Sequence, residues 1–144
     1  MNDQPDRKDE FGSFDEISEA DRKAALDIFG KTLIESRDTA VTQWDQILTS
    51  KRHYPAWERL RSRYPDLDGQ SREILREALP HAIDTFMYCL LDQLDGSRTV
   101  RVSVTLESGM VIDVARASWG LAAEPTTDEG WLVRFSKQRF DQPG

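Results

Sequence analysis

The sequence has little of what most catalytic and metal sites require. Its 144 residues include one cysteine, Cys89, and two histidines, His53 and His81. A single cysteine excludes a disulfide within the chain, and no cysteine cluster or His-Glu-x-x-His pair is present to hold zinc. The eight glycines are scattered, so phosphate-binding loops and dinucleotide fingerprints are absent. We therefore predict a chain with no cofactor and no metal ligand, and we assign no catalytic residue.

Long apolar runs are absent as well. No stretch approaches the roughly 20 apolar residues that cross a bilayer. The first six residues, MNDQPD, contain neither the basic nor the apolar region of a secretory signal. These features predict a cytoplasmic protein that does not bind membranes, and a reducing compartment fits the lone cysteine. We expect Cys89 to be a small buried thiol.

Charge is unbalanced towards acid. The chain has 19 basic and 26 acidic residues and a formal net charge of −7. Because an acidic chain repels phosphate groups, we predict no nucleic-acid partner, although residues 52–64 interleave arginines with aromatic side chains as single-strand binders do. Those arginines can instead pair with the acidic N-terminal residues. The overall charge suits either plain solubility or a basic protein partner.

The hydrophobic pattern predicts a single α+β domain over residues 17–140, preceded by an acidic leader over residues 1–16 that we expect to be disordered. Ser18 has the hydroxyl that caps a first helix. An apolar stripe then continues to Leu48, either as one helix or as two helices with a break near residue 38. Arg37 falls inside this stripe, so it must reach solvent, pair with an acid or mark the break.

The longest helical pattern covers residues 71–95 and predicts the central helix of the core. Pro80 lies inside it and predicts a kink or a junction of two collinear helices, because proline removes a backbone donor. Gly96 is placed to end the helix in a left-handed conformation. The broad apolar side of this helix, which we expect to be buried, comprises Leu75, Leu79, Ala82, Ile83, Phe86, Met87, Leu90, Leu91 and Leu94.

After this helix the repeat of the hydrophobic pattern changes from 3.6 residues to 2 residues, which predicts an antiparallel β-hairpin over residues 98–114. Met110 should point inwards and Asp113 outwards. A lone hairpin is marginally stable, so we expect three or four helices to pack on this small antiparallel sheet. Residues 115–127 are predicted to be a loop. Residues 128–138 fit either a strand or a helix, and the helix is favoured because no strand-forming residues follow.

The narrow polar side of the central helix holds the main functional candidates. His81 and Asp84 are three residues apart, as in a pair of a general base and the carboxylate that orients it. With Tyr88 they form the basis of an alternative function, a small-molecule-binding protein or a hydrolase-type enzyme. The competing interpretation is a solvated helix face. Trp119, in the following loop, either anchors a partner or covers the end of the hairpin.

The motif LPHAID at residues 79–84, followed by LLD at 90–92 and, beyond the hairpin, by GL, Glu124, GWL and FSK, resembles small bacterial immunity-type proteins that neutralise polymorphic toxins. The similarity covers residues 79–137. It implies a stoichiometric protein-binding role without catalysis and a toxin-like partner. We therefore predict a non-enzymatic cytoplasmic protein-binding domain, either an immunity or a regulatory protein. The partner- or ligand-binding candidates are His81, Asp84, Tyr88, Asp92 and Trp119.

Overall fold

A computed structural model describes residues 16–49, 55–65 and 69–138. The described residues are mainly helical with a small two-stranded antiparallel sheet, which fits the predicted α+β class. They contain five α-helices rather than the three or four expected, and the two long helices pack mainly on each other rather than on the sheet. All but the last residue of the predicted leader lie outside the described residues. In chain order the elements are α1 (Glu19–Thr49), α2 (Pro55–Arg63), α3 (Gly69–Gly96), β1 (Ser103–Thr105), β2 (Val111–Asp113), α4 (Val114–Ala117), a 3₁₀ helix (Leu121–Ala123) and α5 (Trp131–Phe135).

Helix α1 is one continuous helix of 31 residues. The predicted cap is confirmed, because the Ser18 hydroxyl accepts a hydrogen bond from the Asp21 amide at 3.1 Å and donates to the Asp21 carboxylate at 2.8 Å. The alternative of two helices is wrong. Around the expected break, the hydroxyls of Ser36 and Thr39 donate to backbone carbonyls four residues earlier, a contact that keeps such residues inside a helix.

Helix α3 is also continuous, so the alternative of two collinear helices meeting at Pro80 is wrong. Pro80 is buried within the helix. The predicted left-handed cap at Gly96 is wrong too. Gly96 is the last helical residue, and the Ser97 amide continues the helical bonding to the Gln93 carbonyl. Among the described residues, the one glycine with a positive φ is Gly109, at 85°, in the turn of the hairpin.

Helices α1 and α3 run antiparallel and form the body of the core. Ion pairs join Arg37 to Asp84 and Asp45 to Arg76, so eight residues forward along α1 correspond to eight residues backward along α3. The buried apolar residues of the main cluster come from α1, α3, the hairpin and the C-terminal third of the chain. They are Ala25, Ile34, Met87, Leu91, Leu94, Val104, Leu106, Ile112, Val114, Ala117, Leu121 and Trp131.

Trp131, on α5, fixes the C-terminal third of the chain against α1. Its indole lies so close to Gly30 that a Cβ at that position would stand 2.4 Å from the ring. Phe29 meets the same indole edge to face, with ring centroids 5.8 Å apart. Glycine is required at position 30 because the contact leaves no room for a side chain.

The predicted hairpin is confirmed, but its strands have three residues each. Val104 pairs with Ile112 at its centre, and both are buried. The strand pattern ends early because Asp113 caps α4, accepting a hydrogen bond from the Ala115 amide at 3.0 Å. Two orientations were predicted wrongly. Asp113 is buried where it caps α4, and Met110 is exposed because it precedes β2, next to the turn of the hairpin.

The region after the hairpin is more ordered than predicted. Residues 115–127 were expected to form a loop, yet they include most of α4 and the 3₁₀ helix. The helix alternative for residues 128–138 is confirmed by α5. Within the described parts of the chain, no helix combines the length and apolar character needed to cross a membrane.

The apolar side of α3 is narrower than predicted. Met87, Leu91 and Leu94 are buried against the rest of the core, but Phe86 keeps 69% of its surface exposed. Ala82 and Leu90 are exposed as well, and the expectation of a buried thiol at position 89 is wrong because Cys89 is exposed. The buried side is centred about one third of a turn away from Phe86.

Candidate functional site: the exposed sides of helix α3

Helix α3 presents two exposed sides on either side of its buried face. One carries most of the polar candidates from the sequence and is acidic. The other is uncharged. We call the first the acidic side of α3, and its exposed or half-exposed residues are Glu77, His81, Tyr88, Asp92 and Asp95. We call the second the uncharged side of α3, and its exposed residues are Ala78, Ala82, Phe86, Cys89, Leu90 and Gln93.

Asp84 belongs to neither exposed side, because its carboxylate binds Arg37 of α1. The Arg37 Nε donates to Asp84 Oδ1 at 2.7 Å, and a terminal guanidinium nitrogen donates to Oδ2 at 3.0 Å. This is a two-pronged contact, the strongest arrangement available to an arginine and a carboxylate. Only 5% of the Arg37 side chain is exposed. Of the three alternatives for Arg37, pairing with an acid is therefore confirmed.

The same guanidinium also binds the C-terminal residues described. Its other terminal nitrogen donates to Asp38 Oδ1 at 3.0 Å, to the Ser136 hydroxyl at 3.3 Å and to the Gln138 carbonyl at 2.5 Å. Asp38 in turn accepts hydrogen bonds from the Ser136 hydroxyl at 2.8 Å and from the Lys137 amide at 2.7 Å. Arg37 and Asp38 thus tie α1, α3 and the segment after α5 together.

The charge of Arg37 is stabilised where it is buried. Burial by itself would lower the pKa of the guanidinium, because it removes water from the charged form. The hydrogen bonds and negative charges of Asp84 and Asp38 outweigh this effect, so the pKa of Arg37 lies above its ordinary value. Arg37 is therefore positively charged throughout the physiological range, and it holds Asp84 in a structural role.

His81 lies on a different part of the surface. It is exposed and lines an open depression of about 410 Å³ together with Asp45, Glu73, Arg76 and Glu77. Arg76 crosses this depression: it donates to Asp45 at 2.6 Å and to Glu73 at 3.1 Å. The hydrogen bond to Asp45 and, to a smaller extent, the one to Glu73 raise the pKa of Arg76 above its ordinary value.

The predicted pair of base and orienting carboxylate is therefore not assembled. Both carboxylate oxygens of Asp84 bind Arg37 rather than His81. Across residues 16–49, 55–65 and 69–138, no group of three or more histidine, cysteine or acidic side chains is arranged to hold a metal ion.

Tyr88 and Asp92 lie together on the acidic side of α3. They are four residues apart and hence neighbours on one helix face. Tyr88 has 54% of its surface exposed, and Asp92 is exposed. The structure thus brings three of the five predicted site residues, His81, Tyr88 and Asp92, to one side of a rigid helix.

Trp119 is separate from this group in the chain and is presented by a hydrogen-bonded loop. Its indole is 91% exposed, so it does not cover the end of the hairpin. The preceding Ser118 is buried. Its hydroxyl accepts from the Gly120 amide at 3.0 Å and donates to the Glu124 carboxylate at 2.6 Å. These contacts fix the backbone on which Trp119 stands.

The uncharged side of α3 was not recognised from the sequence. Ala82, Phe86 and Leu90 were assigned to the core because the apolar positions of α3 cover about half of the helix circumference. The available signal was the complete lack of charge along one line of the helix, in a chain where 31% of residues are charged. A buried helix can also lack charge along one line, so only the exposure of these side chains in the structure distinguishes a surface from a core position.

Comparisons with protein families, with curated proteins and with solved structures found no match.

Proposed function

We propose that this chain is a non-enzymatic protein-binding domain whose partner is a basic protein that docks on the acidic side of α3. The observation that carries the proposal is Tyr88, an aromatic side chain of the central helix α3 that is 54% exposed and lies four residues from the exposed Asp92. Tyrosines in such positions act as binding anchors, because the ring is large and stiff and the hydroxyl tolerates water.

The surrounding charge determines which partner fits. Glu77, Asp92 and Asp95 lie along the same side of the helix as Tyr88, and the chain as a whole carries −7. Acidic surfaces accelerate encounters with basic proteins and exclude acidic ones. Trp119, on its fixed loop, offers a second aromatic contact for the same or an adjoining part of the partner.

The alternative of a small-molecule-binding protein or hydrolase-type enzyme at His81, Asp84 and Tyr88 has less support. It requires an available carboxylate beside the histidine, and Asp84 is held by two short hydrogen bonds to Arg37. Without that carboxylate, His81 has no group among the predicted three to orient it.

The resemblance of residues 79–137 to immunity-type proteins extends the proposal to a biological role. In this role the chain is a cytoplasmic immunity or regulatory protein that forms a stoichiometric complex with a toxin-like basic protein. Acidic charge and an exposed tyrosine on a rigid helix are the features that such an inhibitor needs, since it acts by covering its partner's surface.

The test compares partner recovery by tagged chains expressed in the native cell, measured by quantitative mass spectrometry after chemical cross-linking. We expect the wild type to enrich one basic protein, cross-linked to α3 in a 1:1 complex. The double variant Tyr88→Ala, Asp92→Lys should recover it at least tenfold less, which corresponds to about 1.4 kcal/mol of binding free energy.

The matched control is Val133→Ala, which removes a comparably exposed apolar side chain from α5. It should leave recovery unchanged. Enrichment of no protein above a tag-only sample, or equal recovery by the wild type and the double variant, would overturn the proposal.

A further inference from the structure

The uncharged side of α3 has the length and spacing of a helix–helix contact. Its exposed residues span 78 to 93, about 23 Å along the helix axis. Ala82, Phe86, Cys89 and Gln93 follow one another at intervals of four, three and four residues. Alternating intervals of four and three residues are typical of helices that pack along a shared seam.

The shape of this side also suits a facing helix. Phe86 projects from the surface with 69% of its area exposed, and it stands between two small residues, Ala82 and Cys89. A large side chain can insert between side chains of a facing helix, and the small residues beside it leave room for the large side chains of that helix. Among the described elements, α3 packs mainly on α1 and on the 3₁₀ helix Leu121–Ala123, and neither covers Phe86.

Charge determines what can occupy this surface. In a twofold dimer the same residues face each other across the axis, so a surface with charges of one sign repels itself. The acidic side of α3 cannot pair with itself for this reason, and a basic partner gains nothing from the uncharged side. A second copy of the chain, by contrast, meets no like charge there, although each copy carries −7.

Charge also determines the direction of pairing. The first half of α3 has two arginines and two glutamates, at positions 72, 73, 76 and 77, and is neutral overall. The second half holds Asp84, Asp92 and Asp95 and is acidic. A parallel pair would place the two acidic halves side by side, whereas an antiparallel pair places each beside a neutral half. With the twofold axis at Phe86, Ala82 faces Leu90 of the other copy.

We propose that the uncharged side of α3, centred on Phe86, is the interface of an antiparallel homodimer of this chain. One pair of helices over about 23 Å is shorter than a standard protein interface, so the dimer is weak and depends on concentration. The two sides of α3 then bind different occupants at once: a second copy at Phe86 and the basic partner at Tyr88.

The test is sedimentation analysis of the full chain from about 1 µM to about 1 mM, a range that covers weak association. We expect the wild type to shift from monomer to dimer within it. Phe86→Glu should raise the dimer dissociation constant at least tenfold. Tyr88→Glu, an equally drastic change at an exposed aromatic residue two positions along the same helix, should change it less than twofold.

Cys89 supplies a second readout in the unaltered protein. If the seam forms, the rate at which a maleimide modifies Cys89 falls as the protein concentration rises, and Phe86→Glu abolishes this fall. Ala82→Glu, at another exposed position, should act as Phe86→Glu does. Circular dichroism and thermal unfolding confirm that each variant remains folded.

Three outcomes would overturn the dimer. The first is a wild type that stays monomeric throughout the concentration range. The second is an equal effect of Phe86→Glu and Tyr88→Glu on association. The third is a monomer in which Cys89 becomes reactive only when residues 1–15 are deleted, which would assign the surface to the chain's own N-terminus. None of these results affects partner recovery through Tyr88, so the two proposals fail separately.

Discussion

Two arginine–aspartate pairs join α1 to α3, and they differ mainly in how much of each side chain is exposed to solvent. Arg37 and Asp84 have 5% and 27% of their side chains exposed, whereas Arg76 and Asp45 have 37% and 44% exposed. Both contacts are short, at 2.7 Å and 2.6 Å. The comparison shows that bond length alone does not say what an ion pair does, because the surrounding water determines its energetic weight.

The buried pair of Arg37 and Asp84 holds α3 in one position along α1. Removing two charges from water is unfavourable, and the loss is recovered only when the charged atoms are well hydrogen-bonded. Arg37 meets this condition through Asp84, Asp38, Ser136 and the Gln138 carbonyl. A shift of α3 along α1 would break the two contacts to Asp84 together, so the pair specifies the register of the helices.

The exposed pair belongs to the surface. Arg76 binds Asp45 and Glu73 at the edge of the depression that His81 lines. Water competes for each of these groups, and salt screens them. The pair therefore adds little to stability, and Arg76 offsets part of the negative charge of Asp45 and Glu73.

The largest expected effect is that of Arg37→Ala. It leaves Asp84 and Asp38 without their cation in a half-buried site, and we expect the free energy of unfolding to fall by about 3 to 5 kcal/mol. Urea unfolding followed by circular dichroism measures this change. A fall of less than about 1 kcal/mol, the range of exposed pairs, would remove the distinction between the two contacts.

Asp84→Asn should have the next largest effect. The amide keeps the shape of the side chain but loses its charge and one acceptor, while the carboxylate of Asp38 still accepts from Arg37. We expect a loss of about 2 kcal/mol of unfolding free energy, the range for a hydrogen bond to a charged group. The same variant should recover the basic partner as the wild type does below its unfolding temperature. A loss of partner binding without loss of stability would instead place Asp84 in the binding surface.

Arg76→Ala should have the smallest effect, between zero and about 1 kcal/mol. At a salt concentration of about 1 M, where the screening length is near 3 Å, the difference from the wild type should disappear. The deficit of Arg37→Ala should persist in the same buffer because only 5% of the Arg37 side chain is exposed, and buried pairs are screened much less by salt. Equal salt dependence of the two deficits would contradict the contrast in burial.

The parts of the fold that follow from local chemistry were predictable from the sequence. The Ser18 cap depends on residues within one turn, and the hairpin depends on alternation along neighbouring strands. The early start of α4 is local too, since Asp113 caps it from the adjacent position. It was missed because Val114 continues the alternating pattern of the strand. Only the hydrogen bond from the Ala115 amide to Asp113 shows that a helix begins there.

The features that depend on distant residues were not predictable in this way. Pairing with an acid was one of three alternatives for Arg37, but Asp84 lies 47 residues away, and no spacing rule connects them. Phe86 illustrates the same limit, because its position on α3 fits a broad apolar side. Its exposure follows from where α1 and the 3₁₀ helix pack. The exposed sides of α3 are what this packing leaves uncovered.

We propose that Tyr88 and Asp92 bind the partner, whereas Asp84 holds α3 to α1 through Arg37. The decisive measurement is partner recovery by three tagged chains under identical conditions, with cross-linked peptides quantified by mass spectrometry. We predict full recovery by the wild type and by Asp84→Asn, and at least a tenfold loss for Tyr88→Ala combined with Asp92→Lys, about 1.4 kcal/mol. Recovery lost with Asp84→Asn and retained by the Tyr88 and Asp92 double variant would contradict the claim.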